Sequence, residues 1–195
     1  MNRQKKFIDK YAAGDIPWDS PEPPPEIIEL AAELPAGKAL DLGCGYGRTA
    51  IFLAARGWQV DAVDYIPRAI TEARQRAEKA RVAGQINFFQ ADVTSLAFLS
   101  AGYDLAVDIG CCHRMPEAEL RAFHSQIKRL LKPGALFLLF AHLNDPARGH
   151  YEWLDEDILH GFFQDGFHIE KVIYGTTQVR DREPWRSAWF WFRKD

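Results

Sequence analysis

The sequence has 195 residues, of which 47% are hydrophobic and 26% charged, which is typical of a globular chain with one domain of ordinary size. A formal net charge of -3 argues against a protein that binds nucleic acid or a membrane surface through a basic face. The first residues lack the apolar run of a secretory signal, and the longest apolar run, residues 134–143, is too short to span a bilayer. Three cysteines form no disulfide framework and indicate a cytoplasmic location.

The chain begins with a helix and a proline-rich run rather than with a strand. Residues 4–14 have the spacing of a short amphipathic helix, in which Phe7, Ile8 and Tyr11 need an apolar surface to cover. A run of prolines then holds residues 15–27 extended and semi-rigid. Because no strand is predicted before residue 38, we expect this segment to dock onto the fold from outside the sheet.

Strands and helices alternate from there on. The predicted strands cover residues 38–42, 58–64, 86–92, 103–110 and 135–143, and the predicted helices cover residues 26–33, 47–57, 67–84, 116–134 and 155–166. Such alternation predicts right-handed βαβ units and a mostly parallel sheet. The last two predicted strands, residues 167–177 and 185–194, have no helix between them, so we expect an antiparallel pair at one edge.

The first strand runs into a glycine-rich turn that is expected to approach a ligand closely. Gly43, Gly45 and Gly47 have no Cβ atom and accept a positive φ. Their spacing is not the G-x-G-x-x-G of a dinucleotide site, and Asp41 beside them would repel a pyrophosphate. A carboxylate attracts an ammonium and a sulfonium instead, and S-adenosylmethionine carries both. The turn therefore favours that cofactor.

Two further acids follow the next two predicted strands. Asp64 ends the second strand, where a carboxylate accepts both ribose hydroxyls of a bound nucleoside. Asp92 ends the third strand, where it can accept the adenine amine while the backbone of Val93 reaches the ring edge. Each acid alone is more often a helix cap or a loop residue. An acid after each of three successive strands strengthens the cofactor prediction.

On these pieces the chain resembles the class I S-adenosylmethionine-dependent methyltransferases. The matching stretches are "LDLGCGYGRTA", "VDAVDYIPRAI", "FFQADVTSL", "YDLAVDIGC" and "LKPGALFLL". With "YAAGDIPWDSPEPPPEIIEL" ahead of them, the chain is similar to the small-molecule branch around thiopurine and tellurite-resistance methyltransferases. The resemblance implies an α/β, doubly wound, Rossmann-like sheet of seven strands in the order 3-2-1-4-5-7-6, with the last strand antiparallel and helices on both faces. It also implies a single domain over residues 1–195, with an N-terminal lid over residues 1–36 and the core over residues 37–195.

The resemblance assigns roles to residues of these stretches. Expected cofactor contacts are Asp41, Gly43, Cys44, Gly45, Asp64, Tyr65, Asp92, Val93, Asp108 and Ile109, of which the last two, with Gly110, border the transferring methyl group. Arg48 is a candidate partner for the cofactor carboxylate, or else a surface helix residue. In the lid, Trp18 is expected to line the methyl-transfer chamber and exclude water from it.

Methyl transfer from a sulfonium is an in-line displacement, so the protein mainly supplies alignment. A base helps only where the acceptor arrives protonated, and the candidates are His113 after the fourth strand and His142 at the end of the fifth. Either histidine could equally be a hydrogen-bonded loop residue. Cys111 and Cys112 could act as thiolates, although small packing residues are the more ordinary interpretation. We predict no metal site.

The sequence thus predicts a cytoplasmic methyltransferase that acts on a small molecule, with no nucleic-acid or membrane partner. The fourth strand ends in "DIGC" rather than in the Asn/Asp-Pro-Pro-aromatic run with which amino-methylating enzymes hold a flat base. Alternatives are an RNA or protein methyltransferase, and a non-catalytic protein that binds S-adenosylmethionine. A nucleotide-dependent oxidoreductase is disfavoured by the glycine spacing and by Asp41.

Overall fold

The structure, a computed structural model, describes residues 3–178 and 183–195. Within those residues, seven strands form one sheet in the order β3-β2-β1-β4-β5-β7-β6, which confirms the predicted order. The strands are β1 (Lys38–Leu42), β2 (Gln59–Asp64), β3 (Ile86–Gln90), β4 (Tyr103–Ile109), β5 (Leu131–His142), β6 (Phe167–Thr177) and β7 (Trp185–Lys194). The helices are α1 (Arg3–Ala13), α2 (Pro25–Glu33), α3 (Arg48–Ala54), α4 (Pro67–Lys79), α5 (Glu117–Leu130) and α6 (Glu156–Phe163).

Several helices end earlier than the sequence predicts, and the two largest differences are in α4 and α5. α4 is predicted to end at Gly84. The helix ends at Lys79 instead, because Arg81 takes a left-handed backbone with a φ of 59°. The predicted helix over residues 116–134 ends at Leu130. Pro133 disfavours helical backbone at the residue before it, so the chain becomes extended and enters β5 directly.

The first compact unit, Met1–Asp92, contains three parallel strands. Leu40 lies opposite Asp61 in the pairing of β1 with β2, and Ala62 lies opposite Phe88 in the pairing of β2 with β3. β1 and β2 are buried along nearly their whole length, as is typical of parallel strands, although three of the six residues of β2 are polar. The carboxyl ends of these parallel strands share one edge, and the glycine turn begins there.

The second compact unit, Val93–Asp195, is held together by aromatic side chains. β4 and β5 are parallel, whereas β7 runs antiparallel to both β5 and β6, as predicted. Phe163 of α6 stacks on Phe137 with ring centres 5.3 Å apart and on Phe192 with ring centres 4.6 Å apart. On the other side of β7, the ring centres of Trp189 and Phe140 are 5.0 Å apart. The aromatic residues of the last strand therefore pack within the unit.

The predicted N-terminal segment, residues 1–36, contains α1 and α2, and its first two residues lie outside the described part. Tyr11 of α1 is buried, but Ile8 is 43% exposed, so the prediction that Ile8 covers an apolar surface is wrong. The buried face centres on Tyr11 with Phe7 beside it, and Ile8 lies about 100° around the helix from Phe7. None of the described helices has the length and apolarity needed to cross a membrane.

Candidate active site

The turn between β1 and α3 takes the backbone conformation that glycine favours. Gly43, Gly45 and Gly47 have φ angles of 71°, 55° and 78°. The amide groups of Gly43 and Cys44 donate to the carbonyl of Val63 over 2.8 and 3.0 Å, which fastens the turn to β2. A Cβ atom at Gly47 would lie 3.1 Å from a side chain of α4, so this glycine allows the helix to pack closely.

Asp64, the last residue of β2, also holds this turn. One carboxylate oxygen accepts a hydrogen bond from the amide of Gly45 over 2.9 Å, and the other accepts from the amide of Ile66 over 2.8 Å. Burial raises the pKa of this carboxyl, and the two amide donors oppose the rise. Because each carboxylate oxygen has more than one lone pair, Asp64 can accept further hydrogen bonds from a ligand.

Asp41 and Arg48 join neighbouring elements on either side of the turn. Asp41 is buried in β1 and accepts from the amide of Ala50 in α3 over 3.1 Å. Arg48 donates to the carbonyl of Trp18 over 3.3 Å and to the hydroxyl of Ser20. Burial lowers the pKa of Arg48, while the charge of Asp41 raises it. Arg48 therefore anchors the proline-rich segment to α3, a role that the sequence did not indicate.

Aromatic side chains of the N-terminal segment cover the glycine turn. The hydroxyl oxygen of Tyr11 lies 3.0 Å from the position of a Cβ atom built at Gly45, and its ring lies 5.3 Å from the ring of Tyr46. The indole of Trp18 donates to that hydroxyl over 3.3 Å. Burial raises the pKa of Tyr11, and the charge of Asp64 adds to the rise. Tyr11 is therefore a protonated hydroxyl at the turn.

The remaining predicted cofactor residues differ in exposure. Cys44 is buried within the turn, and Tyr65 packs against the buried cluster formed by Tyr11 and its neighbours. Asp92 is exposed beyond the end of β3, whereas Val93 is buried at the start of the second unit. The cofactor roles of all these residues stay predictions.

β4 ends in a carboxylate that organises the turn after it. Asp108 is fully buried and accepts from the amides of Cys111 and Cys112 over 2.6 and 3.0 Å. Burial raises the pKa of Asp108 to about 7, although these donors oppose the rise. Burial also raises the pKa of the Cys112 thiol well above its ordinary value, and the charge of Asp108 adds to this. Cys112 therefore packs as a thiol. The neighbouring Ile109 is half-buried.

The two candidate bases, His113 and His142, stack on one another. His113 lies in a short 3-10 turn after β4 and His142 ends β5, and their ring centres are 4.7 Å apart at 20°. The amide of His142 donates to Nδ1 of His113 over 3.3 Å, so this nitrogen carries no proton. Burial lowers the pKa of His142 to about 4 and that of His113 well below its ordinary value, and the charge of Arg114 adds to both shifts. Both imidazoles are neutral at pH 7.

Two tryptophans complete a group of four rings, called here the aromatic cluster. The centre of the Trp153 ring lies 4.6 Å from the centre of the His142 ring, and the two rings are nearly perpendicular. It lies 5.0 Å from the centre of the His113 ring. Trp185 of β7 lies 5.3 Å from His142 and 5.1 Å from Trp153. The guanidinium of Arg114 lies 4.7 Å from the centre of the Trp153 ring. Within the described residues, Nδ1 of His142 and Nε1 of Trp153 are buried without a hydrogen-bond partner.

Candidate site residues at or just after the ends of strands are predictable from the sequence, whereas those brought in by other elements are not. His113 and His142 are predicted from their positions after β4 and at the end of β5. Trp153 lies in the irregular connection between β5 and α6, where no periodicity marks a site. The signal for Arg114 was its place next to His113 in the sequence.

Comparison with known proteins identifies the family. Residues 39–134 match the family described as a methyltransferase domain. The 2-heptyl-1-hydroxyquinolin-4(1H)-one methyltransferase of Mycobacteroides abscessus is 31% identical over 124 residues, which are 63% of this chain and 54% of that protein. The chain thus spans about half the length of this curated relative.

Two solved structures are similar over nearly the whole chain. One, described as the conversion of a disulfide bond into a thioacetal group during echinomycin biosynthesis, has a TM-score of 0.78 at 26% identity and covers 97% of this chain and 92% of its own. The other is the 1,6-didemethyltoxoflavin-N1-methyltransferase of Burkholderia thailandensis with bound 1,6-didemethyltoxoflavin and S-adenosylhomocysteine. Its TM-score is 0.74 at 21% identity, and the match covers 97% of this chain and 86% of that one. With the sheet order found above, the family match identifies residues 39–134 as a methyltransferase domain of the class I S-adenosylmethionine-dependent fold.

Proposed function

We propose that the protein transfers a methyl group from S-adenosylmethionine to a small-molecule acceptor by in-line displacement. The observation that carries this proposal is the hydrogen bond from the amide of Gly45 to Asp64. This hydrogen bond links the glycine turn, whose backbone a ligand can approach closely, with a carboxylate that can accept hydrogen bonds from ribose hydroxyls. Membership of the methyltransferase family supplies the reaction type.

The charges around the glycine turn fit this cofactor. Asp41 and Asp64 are both buried beside the turn, where two carboxylates would repel a pyrophosphate but attract an ammonium and a sulfonium. Arg48, whose pKa responds to the charge of Asp41, offers a cation for the cofactor's carboxylate. When bound, the cofactor supplies a methyl group already activated on its sulfonium.

We assign the ribose hydroxyls to Asp64 and the adenine to Asp92 with the backbone of Val93. We assign the methionine end of the cofactor to Asp41, Gly43 and the other residues of the glycine turn. Asp108 is assigned a different role from the one expected, because it is fully buried and its carboxylate oxygens accept backbone amides of the turn that follows. We assign it the support of that turn.

We further propose that the N-terminal segment is a cover for the glycine turn. Three contacts support this role. Tyr11 packs against the turn, Trp18 donates to Tyr11, and Arg48 binds the backbone of Trp18. A cover of this kind excludes water, which protects the sulfonium and strengthens electrostatic contacts.

A small-molecule acceptor is favoured over a macromolecule. The Mycobacteroides abscessus relative acts, by its name, on a hydroxyquinolinone, and the Burkholderia thailandensis structure holds 1,6-didemethyltoxoflavin. The net charge of -3 gives no basic face for RNA. The three cysteines are thiols, and we propose a cytoplasmic location on that ground.

Melting and methyl-transfer measurements test this function together. S-adenosylhomocysteine at about 100-fold over its Kd should add roughly 2.7 kcal/mol, a melting shift of about 5 to 10 °C for a chain of this size. NAD should give no shift. Methyl-labelled cofactor should then transfer its label to members of a panel of thiols, phenols and amines. A shift with NAD alone would contradict the cofactor assignment.

A further inference from the structure

A β-turn in the N-terminal segment fixes the position of Asp19. The amide of Asp19 donates to the carbonyl of Ile16 over 3.0 Å, which closes the turn. Pro17 occupies the second position of this turn, where its restricted φ is favoured. Because a hydrogen bond and a proline both limit this backbone, Asp19 is preorganised to meet a partner.

That partner is Arg76 of α4. Its Nη1 and Nη2 atoms donate to the two carboxylate oxygens of Asp19 over 3.1 and 2.9 Å, so the guanidinium binds the carboxylate in a bidentate manner. The side chains of Arg76 and Asp19 are 33% and 22% exposed, so water screens their attraction less than that of a fully exposed pair. The pair therefore fastens the N-terminal segment to α4.

Arg76 is itself held in place by α4 and by the glycine turn. Its Nε atom donates to Glu72, one helical turn earlier, over 2.9 Å. Its guanidinium carbon lies 4.5 Å from the centre of the Tyr46 ring, and Tyr46 is the residue between Gly45 and Gly47. A guanidinium over an aromatic ring is a favourable cation–π contact. One side chain thus joins α4, the glycine turn and the N-terminal segment.

The positive charges near Asp19 come from two helices. Arg48 of α3 donates to the carbonyl of Trp18 over 3.3 Å. Burial lowers the pKa of Arg48, and the charges of Asp41 and Asp19 oppose this shift. Because Arg48 binds the backbone of the segment, its hydrogen bond does not require the carboxylate of Asp19. The contact of Arg76 does require it.

We propose that Arg76 is a positioning residue that acts through Asp19 to keep the N-terminal segment closed over the glycine turn, and that this pair sets the rate at which the cofactor enters and leaves. The inference rests on the proposed function, which places the cofactor at that turn. In the closed segment the hydroxyl oxygen of Tyr11 lies 3.0 Å from the Cβ position of Gly45, so the segment covers the backbone of the turn. The segment has to lift before a cofactor can pass, and the ion pair has to break before the segment can lift.

The association and dissociation rate constants of S-adenosylhomocysteine, measured by stopped-flow fluorescence, test the inference. Arg76→Gln and Asp19→Asn each remove the ion pair, and Arg76→Lys keeps the charge but not the bidentate geometry. Arg121→Gln in α5 is the matched control. Arg121 also binds a glutamate one helical turn earlier, Glu117, over 3.2 Å, and its guanidinium lies 4.8 Å from the centre of the Phe162 ring. Both of these contacts lie within the second compact unit.

We expect Arg76→Gln and Asp19→Asn each to raise both rate constants about fivefold or more, with a smaller change in Kd, because the closed segment obstructs passage in both directions. The double variant should exchange cofactor no faster than either single variant. Arg76→Lys should lie between wild type and Arg76→Gln, and Arg121→Gln should match wild type. A residue that only stabilises the bound complex would change the dissociation rate constant alone, and that result would overturn the inference. Additive effects of Arg76→Gln and Asp19→Asn would also overturn it.

Salt provides a second test of the same step. An increase in NaCl from about 0.1 M to about 1 M shortens the screening length from about 10 Å to about 3 Å. Exchange of S-adenosylhomocysteine should therefore become faster in wild type and in Arg121→Gln, and much less so in Arg76→Gln. An equal response of all three proteins would contradict the role of the ion pair.

Hydrogen exchange without cofactor separates this inference from the proposed function. Amides of residues 7–19 should exchange about fivefold faster in Arg76→Gln than in wild type, while those of β1 stay unchanged. Equal exchange in residues 7–19 would show that Arg76 does not hold the segment, and the inference would fail. If S-adenosylhomocysteine causes no melting shift, the proposed function is wrong, and the inference about cofactor exchange fails with it. If S-adenosylhomocysteine binds but Arg76→Gln exchanges it at the wild-type rate, the inference is wrong and the proposed function stands.

Discussion

The hydroxyl oxygen of Tyr11 lies 3.0 Å from the place that a Cβ atom would occupy at Gly45. α1 therefore meets the glycine turn directly, at a residue whose φ of 55° also favours glycine. Gly45 is thus constrained twice by the protein itself, by its backbone angle and by the side chain packed against it.

Replacing Gly45 with alanine separates these two constraints. The left-handed backbone alone should cost about 1 to 2 kcal/mol of unfolding free energy. The contact with Tyr11 should add about 1 kcal/mol, because the hydroxyl has to shift. The matched control is Gly14→Ala, since Gly14 has a φ of 70° but nothing within 4 Å of its Cβ position. Urea unfolding of both variants measures the difference.

The double variant with Tyr11→Phe tests the origin of that difference. Removing the hydroxyl should recover most of the extra cost of Gly45→Ala and none of the cost of Gly14→Ala, a coupling of about 1 kcal/mol. Strict additivity of Tyr11→Phe and Gly45→Ala would show that α1 does not rest on the turn.

Asp64→Asn should weaken both the cofactor complex and the turn. The carboxylate accepts from the amides of Gly45 and Ile66, and an asparagine NH2 group would face one of these donors. We expect about 1 to 3 kcal/mol lower stability and about tenfold or more weaker binding of S-adenosylhomocysteine. Asp157→Asn on the exposed side of α6 is the control. Unchanged affinity in the folded variant would mean that Asp64 stabilises the turn but does not bind the cofactor.

Much of the fold could be predicted because its signals are local. Alternation of buried strands with amphipathic helices requires only short windows of sequence, and the sheet order came from the family resemblance. The errors arose where a single backbone preference overrode the pattern. Arg81 adopts a positive φ before Gly84 is reached, and Pro133 ends helical backbone ahead of itself.

The candidate site was predictable only in part, for a related reason. Asp41 and Asp64 lie at the ends of strands and the glycines follow the first strand, so their shared edge is implied by parallel pairing. Tyr11 and Trp153 reach their sites from α1 and from an irregular connection. Their positions depend on contacts between residues far apart in the sequence, which no local pattern encodes.

Trp18→Ala should reduce turnover more than it reduces cofactor affinity. The indole donates to Tyr11 and packs 5.8 Å from Phe7, so its loss loosens the proposed cover without touching the acids of the turn. We expect a fall in kcat of about 10-fold to 100-fold, as for other losses of alignment. Ile8→Ala is the control, because Ile8 is exposed on the same segment.

Deletion of residues 1–19 should reproduce and exceed the loss seen with Trp18→Ala. Circular dichroism and cofactor binding report whether the rest of the chain stays folded. If the truncated, folded protein methylates its acceptor at the full rate, the cover assignment is wrong.

Two buried groups of the second unit titrate in opposite senses on folding. The pKa of Asp108 is raised to about 7, so the folded state holds its proton more tightly and stability rises as the pH falls from 7 to 4. The pKa of His142 is lowered to about 4, so the folded state resists its protonation and stability falls as the pH drops from 6.5 to 4. His113 has the same sign as His142. Because these contributions to stability oppose one another, the pH dependence of wild-type stability alone does not separate them.

His142→Phe isolates the histidine contribution, because it keeps a ring in the cluster but removes the titrating group. With an ordinary pKa near 6.5 in the unfolded chain and about 4 in the folded one, wild type should lose about 3 kcal/mol relative to the variant between pH 7 and pH 4. Urea unfolding at intervals across this range measures the difference. Trp191→Phe is the control, and its difference from wild type should not change with pH. A pH-independent difference for His142→Phe as well would mean that burial does not lower the pKa of His142.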